Sequence, residues 1–410
     1  MQTFNTVNRH NLETLSLSIK HILYKGHHIA LDTEFTGLGD PKKCRSQNIE
    51  DRYLAIRDVV MTHALVSFGL SVFEKDDDEY RVNNMNFVML CRNPHLCNPM
   101  SMSFLVENGF NFNDQIRNGI PYVPGSSVGE SNAGLNGIMR SIFEIILTLK
   151  KPVALHNGLM DLMFIYHSFY ADLPDKLSTF IADVYEMFPV GIYDTKYISD
   201  YVTRESVSFL SFLFKKYERM QERVSDGIRI HSQDRIKHDY VLTKKTLAEL
   251  GLAPSPTTKA FPSSGKPYCE QFAAHGFCNA GKLCKLSHDL DVILSHIEVY
   301  GESGNKSKAR KRKAPNETEG DSSAEQSLSV VHQDAIVQQA GEFETCHSAC
   351  FDAYMTGFIF AHQLSAIPNL LQEHGNRLYL IGKSIPLRIE YSRYSRTSEQ
   401  HQSLKKRIQS

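Results

Sequence analysis

The sequence predicts an α/β fold with a mixed central sheet, and three observations predict it. The apolar run Ile29 to Leu31, bounded by a turn with Gly37 and Gly39, reads as a buried strand. Two more strand-like runs, Ala64 to Phe73 and Asn86 to Cys91, follow the helical span Ile49 to Thr62. The short apolar run Pro152 to Leu155 then sits between an amphipathic helix, Gly137 to Leu149, and a helix opened by His156-Asn157-Gly158. A β-rich start followed by strand–helix units gives a mixed sheet with helices against it.

In chain order, Leu12, Leu15, Leu17, Ile19, Ile22 and Leu23 recur at helical spacing and predict a first helix over 9–25. The acidic stretch Glu74 to Glu79 reads as a solvated turn between two strands. Residues 101–118 alternate helical stretches with Phe110-Asn111-Phe112, and Pro121 to Gly134 reads as a loop. With 410 residues, of which 41% are hydrophobic, the chain can bury one large core and a smaller module. The net charge of -1 excludes a uniformly basic nucleic-acid binder, so affinity for a polyanion must come from local patches or bound metal. Met1 to Lys20 has no apolar core of signal-peptide length, and no later segment approaches a membrane span; a soluble chain without membrane partners is expected. Eight cysteines are too few for a disulfide scaffold in a chain of this length.

The chemistry-bearing residues are acids at the ends of apolar runs. Asp32 and Glu34 are two apart on a strand and so share a face. They are either two solvated acids at a strand end or a pair that captures a hard divalent cation. Asp161 lies among Leu159, Met160, Leu162 and Met163, where an unpaired carboxylate is costly. It either caps its helix or meets a cation, and Asn157 already fills the capping position. Asp194 also ends an apolar run and is read as structural, pairing with Thr195 or Lys196 or capping the next helix. Late in the chain, an apolar helix within 345–361 carries Asp352, with His347 in the loop before it and Ser348 as its cap. An imidazole there can reach over a metal held by Asp352 and take a proton from water near neutral pH.

In order, Asp32-x-Glu34, Asp161 and His347-x4-Asp352 resemble the histidine-containing form of the DEDD exonuclease superfamily. The resemblance is closer to its poly(A)-specific ribonuclease group. It extends through Gly109 to Asn113, His156 to Leu162, Glu186 to Pro189, Gly191 to Tyr197, Phe351 to Gly357 and Ile381 to Leu387. It implies a ribonuclease H-like mixed sheet with flanking helices. It also implies two Mg²⁺ (or Mn²⁺) ions held by Asp32, Glu34, Asp161 and Asp352, with His347 as general base. The implied reaction is 3′→5′ removal of adenosine tails with release of 5′-AMP, from small nuclear and other noncoding RNAs. An RNA-binding adaptor with an inactive nuclease core is the alternative, and a DNA exonuclease a further one; the complete set of five residues argues against the adaptor.

A second signal is independent of the first. Cys269, Cys278, Cys284 and His288 stand in C-x8-C-x5-C-x3-H spacing, a closed tetrahedral set for one structural Zn²⁺. The spacing is that of CCCH zinc fingers, which commonly bind single-stranded RNA. Tyr268, Phe272 and Phe277 are available for base stacking, with Lys266, Lys282 and Lys285 for charge, or the aromatics pack around the metal. Residues 300–333 read as a disordered linker whose run Lys308, Arg310, Lys311, Arg312 and Lys313 suits the nuclear-import machinery. A nuclear location is expected, in nucleoplasm or in bodies such as Cajal bodies and speckles. The predicted organisation is a nuclease part over 1–250, the finger over 262–292, the linker, a second nuclease part over 334–395 and a basic tail over 396–410. Arg388, Arg393, Arg396, Lys405, Lys406 and Arg407 in the last stretches offer charge for phosphates.

Overall fold

A computed structural model describes residues 4–125, 134–223, 228–232, 266–300 and 348–409. The chain divides into two compact units, Met1–Pro256 with Glu344–Ser410, and Thr257–Phe343. In the first unit, β1 (Phe4–Val7) leads through α1 (Leu12–Lys25) into β2 (His28–Phe35). Two helices, α2 (Pro41–Cys44) and α3 (Ile49–Thr62), precede a long hairpin of β3 (Leu65–Asp76) and β4 (Glu79–Cys91). Then come α4 (Pro99–Glu107), α5 (Phe112–Asn118), β5 (Ile120–Tyr122) and α6 (Gly134–Thr148). The strand–helix units follow as β6 (Val153–Leu155), α7 (Leu159–Phe169), α8 (Leu177–Met187), β7 (Ile192–Asp194) and α9 (Thr195–Tyr197). After α10 (Leu210–Arg223) comes β8 (Arg229–Ser232). The second unit contributes α11 (Glu270–His275) and α12 (Leu290–Tyr300); the chain then closes the first with α13 (Ala349–Ala366), α14 (Leu370–Glu373), β9 (Arg377–Leu378), β10 (Leu387–Arg388) and α15 (Glu399–Gln409).

The sheet runs β1-β4-β3-β2-β6-β7-β9-β10, with β5 and β8 also paired to β4. It is mixed, as the sequence predicts. β2, β3 and β4 are antiparallel neighbours, whereas β2–β6, β6–β7 and β7–β9 are parallel. Strand alternation sorts β2 into two faces. Ile29 and Leu31 enter one apolar core with residues of α1, α3, α6, α7 and α8, while Ala30 enters a second core with Phe358, Ile359 and Phe360 of α13. Asp32 and Glu34 continue the Ala30 face, beneath α13.

Several elements are longer than the sequence suggests. β2 does not stop at its acids but runs through them to Phe35. The acidic stretch Glu74 to Glu79 belongs mostly to the hairpin, where Glu74 pairs with Arg81 and Asp76 with Glu79, leaving only Asp77 and Asp78 to turn. Asp77 sits at φ 52, a left-handed position that Asp tolerates. The stretch expected as a basic tail is a docked helix. The Ser398 N–H donates to the buried Asp183 carboxylate at 2.8 Å, and His401 lies between Tyr170 (2.8 Å) and Glu186 (3.0 Å). Lys405 pairs with Glu186 at 2.8 Å and Arg407 with Glu144, so these two charges are spent within the fold. Among the described residues, no helix is long and apolar enough to cross a membrane.

Candidate active site and metal centres

Carboxylate oxygens of Asp32, Glu34 and Asp352 lie within 4.8 Å of one another, all three residues half-buried. Two come from one face of β2 and the third from the first turn of α13. The helix starts where the sequence places it: Ser348 is the N-cap, its hydroxyl accepting from the Phe351 N–H at 3.2 Å. What lets α13 come so close is Gly69, which faces Asp32 across the β2–β3 ladder. A Cβ there would stand 2.0 Å from the Ala349 carbonyl oxygen, so only glycine admits the helix. An isolated glycine inside an apolar strand is a legible sign of such close approach, and the sequence reading passed over it.

Asp161 joins this group from the first turn of α7. Burial, then the charges of Asp161, Asp352 and Glu34, hold the Asp32 carboxyl well above the usual carboxylate range. Burial likewise pushes Asp161 up to about 6, against a hydrogen bond from the Thr33 hydroxyl at 2.5 Å. Thr33 was not singled out from sequence, because a threonine within a strand carries no signal of its own. The expected capping role of Asn157 does not hold. Asn157 lies at φ 57, Gly158 occupies the N-cap position, and no side chain caps α7. The Asn157 N–H instead donates to Asp194 Oδ1 at 2.9 Å.

Asp194 is structural, as read from the sequence, and more widely so than capping requires. Fully buried, it accepts from four backbone N–H groups: Asn157, Lys196 (3.0 Å) and Tyr197 (3.2 Å) on Oδ1, and Tyr379 (2.9 Å) on Oδ2. It therefore ties the turn that presents Asp161 to α9 and to the chain beyond β9. Burial still raises its carboxyl above the usual range despite these donors.

The donor set of the four acids is all oxygen and mutually repelling, which fits a hard divalent cation such as Mg²⁺ or Mn²⁺. His347 lies outside the described residues, immediately before the Ser348 cap. The basic run with Lys308, Arg310, Lys311, Arg312 and Lys313 lies outside them too.

In the second unit, ligand atoms of Cys269, Cys278, Cys284 and His288 also lie within 4.8 Å of one another. The Cys269 N–H donates to the Ser287 carbonyl at 2.9 Å, drawing the first and last ligands together. Cys269 caps α11 through its sulfur, which accepts from the Phe272 N–H, and Gly276 at φ 76 ends that helix in the left-handed region. Three sulfurs and an imidazole nitrogen fit Zn²⁺. The stacking role expected of Tyr268 and Phe272 is corrected by their burial. Phe272 is 1% exposed with its ring stacked on His288 at 4.4 Å, and Tyr268 packs edge-on against His296. These rings form the finger's own core and offer no free face to a base. Phe277 is half-buried beside His275, Lys266 pairs with Glu270 at 2.5 Å, and the Lys282 side chain lies outside the described residues.

The profile of the CAF1 family ribonucleases matches residues 7–138 and 129–360. Poly(A)-specific ribonuclease PARN of Xenopus laevis is 27% identical over 132 residues, 28% of this chain and 21% of the relative. The pre-piRNA 3′-exonuclease trimmer of Bombyx mori is 34% identical over 64 residues, 16% of this chain and 12% of the relative. The matched segment thus spans about a fifth or less of these relatives' length. Among solved structures, the Mg²⁺- and Mn²⁺-bound form of S. pombe Pop2p aligns with a TM-score of 0.39 at 18% identity, covering 52% of this chain and 81% of that one.

Proposed function

The chain belongs to the CAF1 family of ribonucleases, and from that premise we propose that it is a metal-dependent 3′→5′ exoribonuclease that removes 3′ adenosine tails. The observation that carries the proposal is the convergence of Asp32, Glu34 and Asp352 oxygens within 4.8 Å, with Asp161 close enough to raise the Asp32 carboxyl. Asp32, Glu34, Asp161 and Asp352 would hold two Mg²⁺ or Mn²⁺ ions. When bound, such ions supply activation of the attacking water and stabilisation of the leaving 3′-oxygen. The protein's part is positional. Thr33 fixes one oxygen of Asp161, the Ser348 cap fixes the start of α13, and Asp194 fixes the Asn157 turn. His347, one residue before that cap, is proposed to take the proton from the attacking water, and 5′-AMP is the expected product.

Within the poly(A)-specific group the motif set resembles the nuclear Target of EGR deadenylase. That resemblance supports tails of small nuclear and other noncoding RNAs as substrates. The finger with one Zn²⁺ supports an added RNA contact, and the run from Lys308 to Lys313 supports nuclear import. The test is a timed digest of 5′-labelled RNA ending in adenosines, with Mg²⁺ or with EDTA, comparing the intact chain with Asp32→Ala and Cys278→Ser. A ladder that needs metal and Asp32 and slows at the first non-adenosine is expected. RNA bound but left at full length under every metal would replace the enzyme with the adaptor.

A further inference from the structure

The basic residues near the carboxy end fall into two groups that behave differently. Lys405 and Arg407 are neutralised by Glu186 and Glu144. Arg388, Arg393 and Arg396 are exposed, and among the described residues their one ion pair is a loose contact of Arg388 with Glu390 at 3.7 Å. Interleaved with them are Tyr391, 54% exposed, and Tyr394, 98% exposed, while Tyr185 of α8 lies 6.1 Å from the Tyr391 ring. Residues 385–396 hold three arginines against one glutamate.

The sheet edge adds an independent sign. In the β9–β10 ladder Leu378 faces Leu387, both buried, and Arg377 directly faces Arg388 on the opposite side. Like charges directly opposite each other are destabilising in a ladder, and an anion between them relieves the cost. Buried Leu387 and Ile389 turn the apolar side of this segment inward, so its outer face is guanidinium and phenol with Ile385 as the one exposed aliphatic side chain. Planar rings spaced among cations match stacked bases and their phosphates. β10 is four strand spacings from β2, about 19 Å, which a few nucleotides cross.

We propose that Arg377, Arg388, Tyr391, Arg393, Tyr394 and Arg396 form a single-stranded RNA track that holds nucleotides upstream of the 3′ end. The inference rests on the nuclease reading above and extends it to where the body of the substrate lies. The track belongs to the nuclease unit itself and works without the finger.

The test measures binding of a 20-nucleotide adenosine strand by fluorescence anisotropy, using the full chain carrying Asp32→Ala. In parallel, hydrolysis of an adenosine dinucleotide, too short to reach the track, is followed with Asp32 intact. Arg393→Ala with Arg396→Ala is expected to reduce the slope of log affinity against log salt by about 1.4, two phosphate contacts at roughly 0.7 each. Tyr394→Ala is expected to weaken binding roughly tenfold and Tyr394→Phe to restore it. Dinucleotide hydrolysis stays at the parental rate in all of these. Unchanged affinity and salt slope in the arginine and tyrosine variants would overturn the track while dinucleotide hydrolysis still reports on the nuclease. If the arginine and tyrosine variants lose RNA binding but no form of the chain hydrolyses anything, the track stands and the nuclease reading falls. Tighter binding of poly-glutamate than of RNA at matched length would overturn it in favour of an acidic protein.

Discussion

Thr33 stands between the two acids of its strand yet points to the other face, and this lets one short segment supply two acids to the site and steady a third carboxylate. Thr33→Val keeps the shape of the side chain and removes its hydrogen bond to Asp161. Partners of this kind around metal ligands typically cost ten- to a hundredfold when lost, so Mg²⁺ affinity by calorimetry and kcat should both fall in that range. Thr33→Ser should retain both. The raised Asp161 carboxyl also has a stability consequence whose sign is fixed. Because its folded pKa, about 6, exceeds the ordinary aspartate value of 3.8, the folded metal-free chain binds more protons than the unfolded one in between. Its contribution is therefore favourable to folding at low pH and is lost as pH rises from about 4 to about 6, by at most about 3 kcal/mol. Urea unfolding in EDTA should show this loss relative to Asp161→Asn, and Mg²⁺ should abolish it. A flat difference between the two proteins across that interval would mean that burial does not raise the Asp161 carboxyl. The acids themselves were legible in the sequence because each ends an apolar run. Thr33 was not, because its role depends on Asp161, 128 residues away, reaching the same place.

At the level of elements, the site exists because α13 lies almost directly on β3. Gly69→Ala would drive a methyl against the Ala349 carbonyl, and backbone cannot swing aside as a side chain does. The expected result is a loss of about 1–3 kcal/mol of stability, read by chemical denaturation, together with weaker Mg²⁺ binding as Asp352 moves off β2. Gly357→Ala is the comparison. Its Cβ would meet the far end of the Phe73 ring, so it should cost stability without specifically displacing Asp352. The long elements were readable from their periodicity. β8, β9 and β10 were not, since strands of two to four residues carry no period and are held in place by their neighbours. The helix α15 was missed for a related reason. Its sequence is mostly polar, and what fixes it is His401, Lys405 and Arg407 meeting Tyr170, Glu186 and Glu144 far back in the chain.

At the scale of the molecule, the two candidate metal sites lie in separate units. Removing zinc with a thiol-reactive reagent or a strong chelator, then restoring Mg²⁺, should unfold the finger and spare the nuclease. Tryptophan is absent, so the readout is circular dichroism together with dinucleotide hydrolysis; loss of hydrolysis with Mg²⁺ restored would show that the units depend on each other for folding. The gathering of Cys269, Cys278, Cys284 and His288 was legible because their spacing is local, whereas the packing of Tyr268 and Phe272 around them was not. The position of α13 carries one more consequence. Three acids are translated within the first 161 residues, but the fourth, the helix that bears it and two strands of the sheet follow the finger. A ribosome-bound chain therefore lacks the helix that packs on β3 and the fourth acid of the cluster until its closing segment emerges. On the proposed function, a product terminated before Asp352 lacks the fourth carboxylate and is expected to hydrolyse nothing, so synthesis itself acts as a safety catch.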